Sequence, residues 1–404
     1  MAQKKYKVVI IGHGYTSRLA VIRSVAQIDC EITVIVMTGY KKDGKTLNKT
    51  LPIDCHSKFV DHVLFCKNDA EELVTLLLNE CVDKNRKNVI FPDSDFAASA
   101  IDSNLNRLKD FFLFPHIGNK QGAVVDWMNK EKQKELARTV GLNVVNSISI
   151  KMEGQDIQIP TSIHYPCFTK TRSYTIGTKH TLKRCDNEKE LRDFISSLSC
   201  WFNHTLLVED FKEIEHEYAA LGFSDGKEVV IPGIVYILSM AHGNHYGVAC
   251  KGEVAPVTGF EELISKFKDF VLKIGFVGVF DIDFFQSHGE FFFSELNLRI
   301  GGSCYAITKA GVNLPGMFVK YLNGDSIGGM KKEITSRATY VDERMLTDDW
   351  IHNYITTKSF YDTINSATIS FIKDEEDPRP YRSFVRFVKT KRIKRFIKKT
   401  LLKT

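Results

Sequence analysis

Acidic and amide side chains recur at two-residue spacing in two adjacent strand-like runs. Asp281 and Asp283 stand two apart in the first run, and Glu295 and Asn297 stand two apart in the second. Side chains two apart in a strand share one face, and a hairpin closed at Ser287–His288 would bring Asp281 opposite Glu295. Three carboxylates and an amide would then meet. Such hard oxygen ligands, without His or Cys at matching spacing, favour Mg²⁺ or Mn²⁺ over zinc.

Arg299 follows this group directly and is suited to a bidentate contact with a phosphate oxygen. A solvated polar hairpin face is the simplest alternative, but the flanks are dense with Phe and Val. Burying unpaired acids beside so many aromatic side chains is costly, so the metal site is favoured. Asp281-Ile282-Asp283 also reads as the metal-binding DxD motif of glycosyltransferases. That interpretation leaves the regular spacing of Glu295, Asn297 and Arg299 without a role.

The run Glu295-Leu296-Asn297-Leu298-Arg299 resembles the E-x-N-x-R signature in the last metal-binding hairpin of the ATP-grasp superfamily. The Gly-Gly-Ser and Ala-Gly-Val-Asn-Leu-Pro segments that follow are similar to the carbamoyl-phosphate-synthase-like and D-aspartate-ligase-like branch. The resemblance covers residues 5–325. It implies that Asp283, Glu295 and Asn297 ligate Mg²⁺ or Mn²⁺, with Asp281 beside them. It also implies that Arg299 stabilises phosphoryl charge during catalysis.

Earlier landmarks of the same superfamily follow in the expected order. Asn129-Lys130 resembles the Asp-Lys start of the first nucleotide subdomain, and the strand ending at Lys170 resembles the one whose basic residue holds phosphates in catalysis. Residues 207–211 resemble the adenine hinge, and 213–217 the segment that supplies a ribose ligand. The resemblance therefore implies a set of ATP-binding residues: Lys130, Lys170, Glu209, Asp210, Phe211, Glu213, Glu215 and Glu217. Glu209 and one of the last three would bind ribose hydroxyls, and which of those three does so stays open. The loop 172–181 departs from the family, whose phosphate loop is richer in glycine.

The elements that position these residues are predicted from apolar periodicity. Over the first 115 residues, short buried strands alternate with amphipathic helices, which predicts a parallel α/β domain. This part resembles the superfamily's Rossmann-like pre-ATP-grasp domain. The expected fold is α/β followed by α+β, with a two-subdomain ATP-grasp fold after the first domain. The predicted units are 1–118 (pre-ATP-grasp domain), 119–205 and 206–330 (the two subdomains, the second with the Mg²⁺ and ATP site) and 331–404 (a C-terminal extension).

Gly12-His13-Gly14 follows the first strand and matches the first two glycines of a dinucleotide-binding motif. The third glycine of that motif is missing, and no acidic residue ends the second strand, so a tight turn is favoured. A substrate anion at the following helix N-terminus is a further alternative. Asp93 or Asp95 could bind a substrate ammonium. Arg18 could bind a carboxylate, although a surface position is favoured for it.

Charge is distributed unevenly along the 404 residues. The net charge is +6, but the segment from Arg382 to Thr404 holds ten basic residues and no acid, so the remainder carries −4. A mildly acidic body argues against a nucleic-acid-binding protein. Apolar residues recur at helical spacing in this tail, at Ile393, Phe396, Ile397 and Leu401. Three interpretations stay open: a solvated or disordered tail, a basic amphipathic helix on an anionic membrane surface, or a segment that binds RNA or a partner protein.

Composition places the chain among soluble cytoplasmic proteins. Hydrophobic residues make up 43% and charged residues 26%, and no apolar run approaches the roughly 20 residues of a membrane span. The first residues lead straight into a strand without a signal-peptide pattern. The nine cysteines show no CxxC pair, which fits reduced thiols. An oligomer is compatible with the sequence.

The expected activity follows from the resemblance. It implies an ATP-dependent carboxylate–amine ligase that forms an amide or peptide bond through an acyl phosphate and acts on small-molecule substrates. If the tail lies on a membrane, an amino acid and a cell-envelope or polysaccharide precursor are hypothetical substrates. Two alternatives stay open: carbamoyl-phosphate-type chemistry, for which the chain has no evident amidotransferase domain, and a non-catalytic nucleotide-binding protein with a decayed ligase fold.

Overall fold

The computed structural model describes residues 4–13, 15–41, 46–152, 157–172, 181–198, 204–242 and 248–401, with the backbone alone for Tyr15 and 391–401. Most of the loop 172–181 therefore lies outside the described residues. The strands, in chain order, are β1 (Tyr6–Gly12), β2 (Cys30–Thr38), β3 (His62–Lys67), β4 (Asn88–Pro92), β5 (Phe112–Leu113), β6 (His116–Ile117), β7 (Asn143–Val144), β8 (Ser147–Lys151), β9 (Cys167–Thr171), β10 (Lys183–Cys185), β11 (Thr205–Asp210), β12 (His216–Asp225), β13 (Val229–Val230), β14 (Ile234–Met240), β15 (Ala249–Ala255), β16 (Phe276–Ser287), β17 (Glu290–Asn297), β18 (Ala338–Val341) and β19 (Ile369–Ser370).

The helices are α1 (Tyr15–Val25), α2 (Ala70–Leu76), α3 (Asp95–Ser103), α4 (Leu105–Leu108), α5 (Ala123–Trp127), α6 (Lys130–Thr139), α7 (Glu188–Leu198), α8 (Glu261–Ile274), α9 (Cys304–Lys309), α10 (Leu314–Leu322), α11 (Glu343–Ile351), α12 (Thr357–Ser366) and α13 (Pro378–Leu401). None of the described helices is both long and apolar enough to cross a membrane.

The amino-terminal sheet is parallel throughout, with the strand order β3-β2-β1-β4-β5. Its central strands are apolar along their length because helices cover both faces; Ile10, Ile11 and Ile35 are fully buried. The predicted parallel α/β domain is confirmed. Ser94 caps α3 by accepting a hydrogen bond from Ala97 N, which places Asp95 at the first helical position.

Two further sheets carry the remaining strands. The four-stranded sheet is antiparallel, in the order β10-β9-β11-β8. The ten-stranded sheet runs β19-β18-β15-β14-β12-β16-β17-β7, with β13 on β12 and β6 on β16. Its central pairs are antiparallel, so the α/β plus α+β class is confirmed. The residue boundaries of the predicted units remain a prediction. Strands β18 and β19, from the segment after residue 330, lie at one edge of the ten-stranded sheet.

A buried arginine fastens the C-terminal segment to the amino-terminal domain. Arg23 of α1 donates to the Asp377 carboxylate at 3.1 Å and to the carbonyls of Phe371 and Ile372, both at 2.9 Å. The second carboxylate oxygen of Asp377 accepts from Lys58 N at 3.0 Å. Both side chains of the ion pair are almost fully buried. Segments far apart in the sequence therefore form one packed body around α1.

Candidate active site

The β16–β17 hairpin contains a β-bulge at Ser294. The strands pair without a break from the turn as far as Phe284 opposite Phe293, and the next pair is Asp283 opposite Glu295. Ser294 is the extra residue on β17. Because strand side chains alternate between faces, one inserted residue reverses the face of every later side chain on that strand. Glu295 therefore shares a face with Asp283.

This reversal gathers four polar side chains on one face of the large sheet. Asp281 lies opposite Asn297, two residues along from the pair formed by Asp283 and Glu295. The expectation that Asp281 lies opposite Glu295 is wrong. The turn is His288–Gly289, one residue later than expected, and the bulge adds one more residue. Both turn residues have positive φ, as a two-residue hairpin turn of this kind requires.

Burial raises the proton affinity of two of these carboxyl groups. The pKa of Asp281 is raised to about 6 by burial, and burial together with the neighbouring Asp281 charge raises the pKa of Asp283 well above its usual range. Asp281 Oδ1 is buried without a hydrogen-bond partner. Asp283 Oδ2 accepts from the Asn297 amide at 2.9 Å. Gly301 passes close to Asp281, since a Cβ at that position would come within 2.0 Å of Oδ2.

Glu295 is held by a lysine of the neighbouring helix. Lys130, at the start of α6, forms an ion pair with Glu295, and this cation lowers the pKa of Glu295 to about 2. Gln133, one turn later, fixes the helix to the strand. Its amide donates to the Leu296 carbonyl and accepts from Leu296 N, both at 2.9 Å. Asn129 caps α6 by accepting hydrogen bonds at the helix N-terminus.

Arg299 projects from the end of the hairpin towards the amino-terminal domain. Its Nε donates to Asp95 Oδ1 at 2.7 Å, and its Nη2 donates to Asn297 Oδ1 at 3.3 Å. Together with Lys130 and Glu295 these residues line a cleft of about 150 Å³. Ligand pockets commonly measure roughly 300–1,000 Å³, so the cleft matches part of a nucleotide, such as its phosphate end.

Lys170 and Glu209 lie on one face of the four-stranded sheet. Lys170 of β9 and Glu209 of β11 form an ion pair at 2.9 Å. The same Glu209 oxygen also accepts from Lys134 of α6, which in turn donates to the Val145 carbonyl at 2.9 Å. All three charged side chains are at most 10% exposed. The sequence-based expectations did not include Lys134, although its spacing of four from Lys130 puts both on one helix face.

The predicted hinge residues follow Glu209 at the edge of this sheet. Asp210 Oδ2 accepts from the Asn146 side chain at 3.2 Å, and Phe211 N donates to the Pro166 carbonyl at 3.0 Å. The Arg184 guanidinium lies 4.3 Å from the centre of the Phe211 ring. These contacts fix the hinge, while its role in binding adenine remains a prediction.

The three glutamates of the predicted ribose segment have different surroundings. Glu213 is exposed. Glu215 accepts from His288 N at 3.0 Å and from Gly289 N at 3.3 Å, and so caps the hairpin turn. Glu217 lies opposite Phe285, two residues from the Ala219–Asp283 pair, and therefore shares a face with Asp283. Burial raises the pKa of Glu217.

Arg18 is not at the surface, as was expected, but fully buried beneath the Gly12-His13 turn. It donates to Asp54 at 2.8 Å and 3.1 Å and to the Gly12 carbonyl, and it lies 3.9 Å from Asp93. Asp93 accepts from His13 N at 3.1 Å. A Cβ on Gly12, whose φ is +154°, would overlap the Asp93 carboxylate. Gly12 ends β1, His13 follows it in a bend, and Gly14 lies outside the described residues. The tight turn that was favoured over a dinucleotide site therefore stays a prediction.

The donor set of the hairpin fits a divalent cation of the hard type. Asp283 and Glu295 offer carboxylate oxygens and Asn297 an amide oxygen, which are ligands that suit Mg²⁺. In the structure Asn297 and Lys130 are hydrogen-bonded to the two carboxylates. No cluster of three or more His, Cys, Asp or Glu in the described part of the chain is arranged to hold a metal ion. The metal-ligand assignment therefore stays a prediction that rests on the chemistry of the donors.

Curated proteins similar to this chain are ligases and synthases. No family model matches the chain. It is 26% identical over 267 residues to the D-alanine–D-alanine ligase of Sulfurimonas denitrificans, an alignment that covers 64% of this chain and 70% of the ligase. It is 23% identical over 225 residues to the carbamoyl phosphate synthase large chain of Gemmatimonas aurantiaca. That alignment covers 54% of this chain and 20% of the large chain, so the chain spans about a fifth of that relative.

A solved structure of similar fold is the N5-carboxyaminoimidazole synthetase of Staphylococcus aureus in complex with ADP. The TM-score is 0.61 with 17% sequence identity, and the superposition covers 87% of this chain and 86% of the synthetase. The three sheets thus form an ATP-grasp fold, like that of this synthetase. The similarity to a ligase and to a synthase agrees with what the E-x-N-x-R signature implies.

Proposed function

We propose that this chain joins a small-molecule carboxylate to an amine at the expense of ATP. The substrate carboxylate attacks the γ-phosphorus and forms an acyl phosphate as the bond to ADP breaks. The amine then attacks the acyl carbon, so that an amide forms, phosphate leaves and the amine gives up a proton. The observation that carries the proposal is the meeting of Glu295, Asn297, Arg299 and Lys130 around one cleft. Asp283 is paired with Glu295 across the hairpin and hydrogen-bonded to Asn297.

The triphosphate of ATP is strongly negative, so the site must supply positive charge to bind it. Phosphoryl transfer demands positioning and charge neutralisation more than covalent help from the protein. Lys130 and Lys170 supply ammonium groups for the phosphates, and Arg299 supplies a guanidinium for the transferred phosphoryl group. Mg²⁺, held by Asp283, Glu295 and Asn297, would add positive charge at the triphosphate.

The nucleoside end of ATP is assigned to the hinge. Asp210 and Phe211, fixed by their neighbours, would bind adenine, and Glu209 would contact the ribose. Of the three candidates for ribose we favour Glu217, because it shares a face with Asp283 while Glu215 is engaged by the hairpin turn. Glu217→Ala should therefore weaken ADP binding, and Glu213→Ala should leave it unchanged.

The direct test is release of ADP and phosphate from ATP and Mg²⁺ in the presence of pooled amino acids and other amines and carboxylates. Product masses identify the joined pair. Glu295→Gln should lower the rate at least about 100-fold, the scale seen when one preorganised charge-stabilising group is lost. Glu290→Gln, on an exposed position of the same hairpin, is the matched control. Full activity of Glu295→Gln would refute the site assignment.

Bicarbonate activation is the second candidate, since the carbamoyl phosphate synthase large chain is among the relatives matched. In that case ATP, Mg²⁺, bicarbonate and ammonia alone would give carbamoyl phosphate. Phosphate release that needs an organic carboxylate would exclude it. Binding of ADP without turnover of any substrate pool would instead favour a non-catalytic nucleotide-binding protein.

We also propose that α13 contacts an anionic membrane surface. Phe384 is buried, and it belongs to the same apolar cluster as Ile372 and Ile53. Arg382, Arg386 and Lys389 are exposed, as is Phe387. The part of α13 that packs on the protein through Phe384 thus leads directly into the part of the helix whose sequence is most basic. Basic residues near an acidic bilayer favour binding by about 1 kcal/mol each.

Sedimentation with vesicles tests the membrane proposal. The intact chain should pellet with phosphatidylserine-containing vesicles at low salt and not with neutral ones. A variant with Lys389, Lys391, Arg392, Lys394 and Arg395 changed to Gln keeps the buried anchor and should stay in the supernatant. Equal pelleting of this variant would refute the proposal, as would binding to RNA in place of vesicles.

A further inference from the structure

Two lysines from different elements share one carboxylate oxygen beneath the candidate active site. Lys134 of α6 and Lys170 of β9 both contact Glu209 Oε1, the second at 2.9 Å. The Lys134 side chain is 2% exposed, and the other two are each 10% exposed. Lys134 also donates to the Val145 carbonyl at 2.9 Å. Both hydrogen-bond partners that the described residues give it are thus protein groups.

The charges in this group do not balance. Two ammonium groups and one carboxylate leave one positive charge in excess, and excess charge in a buried place is costly unless a counter-charge is present. Glu295 acts on Lys170 electrostatically, but it is already paired with Lys130. The excess favours an anion next to Lys170.

We propose that Lys134 is a positioning residue that keeps Glu209 neutralised, so that Lys170 can turn from the carboxylate to the phosphates of ATP. This inference rests on the proposed function and deepens it. Among the described residues, the ammonium that remains on Glu209 without Lys134 is that of Lys170. Lys170 is then held by a buried carboxylate, and ATP must compete with that carboxylate for it.

Two properties of the site agree with this role. The described contacts of Lys134 are the Val145 carbonyl and Glu209, so it acts on the nucleotide through another residue. Burial lowers the pKa of Lys134 to about 8. The charged groups that act on it are Glu209, Lys170 and Arg138, the last one turn along on the exposed side of α6. Above pH 8, loss of its proton should therefore resemble its removal.

The test compares Lys134→Met, Lys134→Arg and the control Lys132→Met. Lys132 also lies on α6 and pairs with Asp126 of α5. Affinity for ADP with Mg²⁺ is measured by titration calorimetry, and KM for ATP is measured separately from kcat. Loss of a charge-assisted contact predicts about 10-fold to 100-fold weaker ADP binding for Lys134→Met. The control should bind like the wild type. Lys134→Arg should retain binding, and its KM should stay flat where that of the wild type rises above pH 8.

The double variant Lys134→Met/Glu209→Gln separates positioning from a structural role. Glu209 is itself proposed to bind the nucleotide, so the reference for the double variant is Glu209→Gln alone. If a free Glu209 charge traps Lys170, Lys134→Met should cost no further ADP affinity in the Glu209→Gln background, whereas a structural defect would lower the affinity in both backgrounds. Unchanged ADP binding by Lys134→Met, or weaker binding by the double variant than by Glu209→Gln, would overturn this inference alone. Absence of ADP binding by the wild type would overturn the proposed function and this inference with it.

Discussion

Asp95 Oδ1 accepts a hydrogen bond from Arg299 Nε at 2.7 Å, although 204 residues separate them. The pair joins the first turn of α3, in the parallel domain, to the end of the β16–β17 hairpin. Asp95 was one of two candidates to bind a substrate ammonium, and the structure gives its carboxylate an arginine of the same chain. The orientation of the predicted phosphoryl-binding guanidinium therefore depends on the amino-terminal domain.

Replacing Asp95 should weaken catalysis without unfolding the protein. Asp95→Asn removes the charge that orients Arg299, and a lost charge-assisted bond of about 1.5–3 kcal/mol predicts a fall in kcat of about 10-fold or more. Asp95→Glu keeps the charge and should recover part of the rate. Initial rates of phosphate release and the melting temperature are measured together. A wild-type kcat in Asp95→Asn would show that Arg299 is oriented by other contacts.

Gly301 should be irreplaceable, whereas its neighbour should tolerate a side chain. A Cβ on Gly301 would come within 2.0 Å of Asp281 Oδ2, and a Cβ on Gly302 would meet nothing within 4 Å. Gly301→Ala must displace the buried Asp281, so we expect a loss of activity and a destabilisation of about 1–3 kcal/mol, typical of overpacking. Gly302→Ala is the control and should match the wild type. Denaturant unfolding and phosphate release measure the two effects, and equal behaviour of both variants would contradict the geometry.

The Arg23–Asp377 pair should be a major source of stability for the C-terminal segment. Asp377→Ala leaves the Arg23 charge buried without its carboxylate, a change that typically costs about 3–5 kcal/mol. Glu376→Ala changes an exposed acid next to it and should be neutral. Thermal unfolding gives the comparison. Limited proteolysis should also cut Asp377→Ala more readily near residues 371–377, and equal resistance of the two variants would argue against the fastening role.

Glu343 should make stability depend on pH. Burial raises its pKa to about 7, while its carboxylate accepts from Ile372 N at 2.9 Å and from Lys373 N at 2.8 Å. The folded state thus binds more protons than the unfolded state between the ordinary glutamate pKa and 7. The free energy of unfolding therefore falls by up to about 3 kcal/mol as pH rises through this window.

The variant Glu343→Gln tests this pH dependence. Its amide cannot accept from both backbone groups, so it should be less stable than the wild type at pH 5. The difference should narrow by pH 8, where the wild type carries a buried charge. Denaturant midpoints at several pH values measure the slope. If the difference in stability between the wild type and Glu343→Gln were the same at every pH, groups other than Glu343 would be responsible for the pH dependence of the wild type.

The amino-acid sequence by itself determined the chemistry and the class of fold. The two-residue spacing of Asp281 with Asp283, and of Glu295 with Asn297, is enough to predict paired polar positions on strands. Alternating apolar strands and helices were enough to predict the parallel domain. These features are local, because they depend only on periodicity along a short stretch of chain. The superfamily resemblance rests on the same local motifs.

Only the tertiary structure decided how the motifs meet. The bulge at Ser294 is not visible in the sequence, yet without it Glu295 and Asn297 would face the apolar core in place of Leu296 and Leu298. Burial of Arg18 was missed for a related reason, since its carboxylate partner Asp54 comes from a loop 36 residues away.

Asp95 with Arg299, and Lys134 with Glu209, are partnerships of the same kind. In each pair the two charged residues are far apart in the sequence, so local spacing does not predict that they meet. Such ion pairs depend on how separate elements pack and on how much solvent that packing removes. Local spacing therefore predicted which residues carry the chemistry, and packing decided which of them share a charge and which face they occupy.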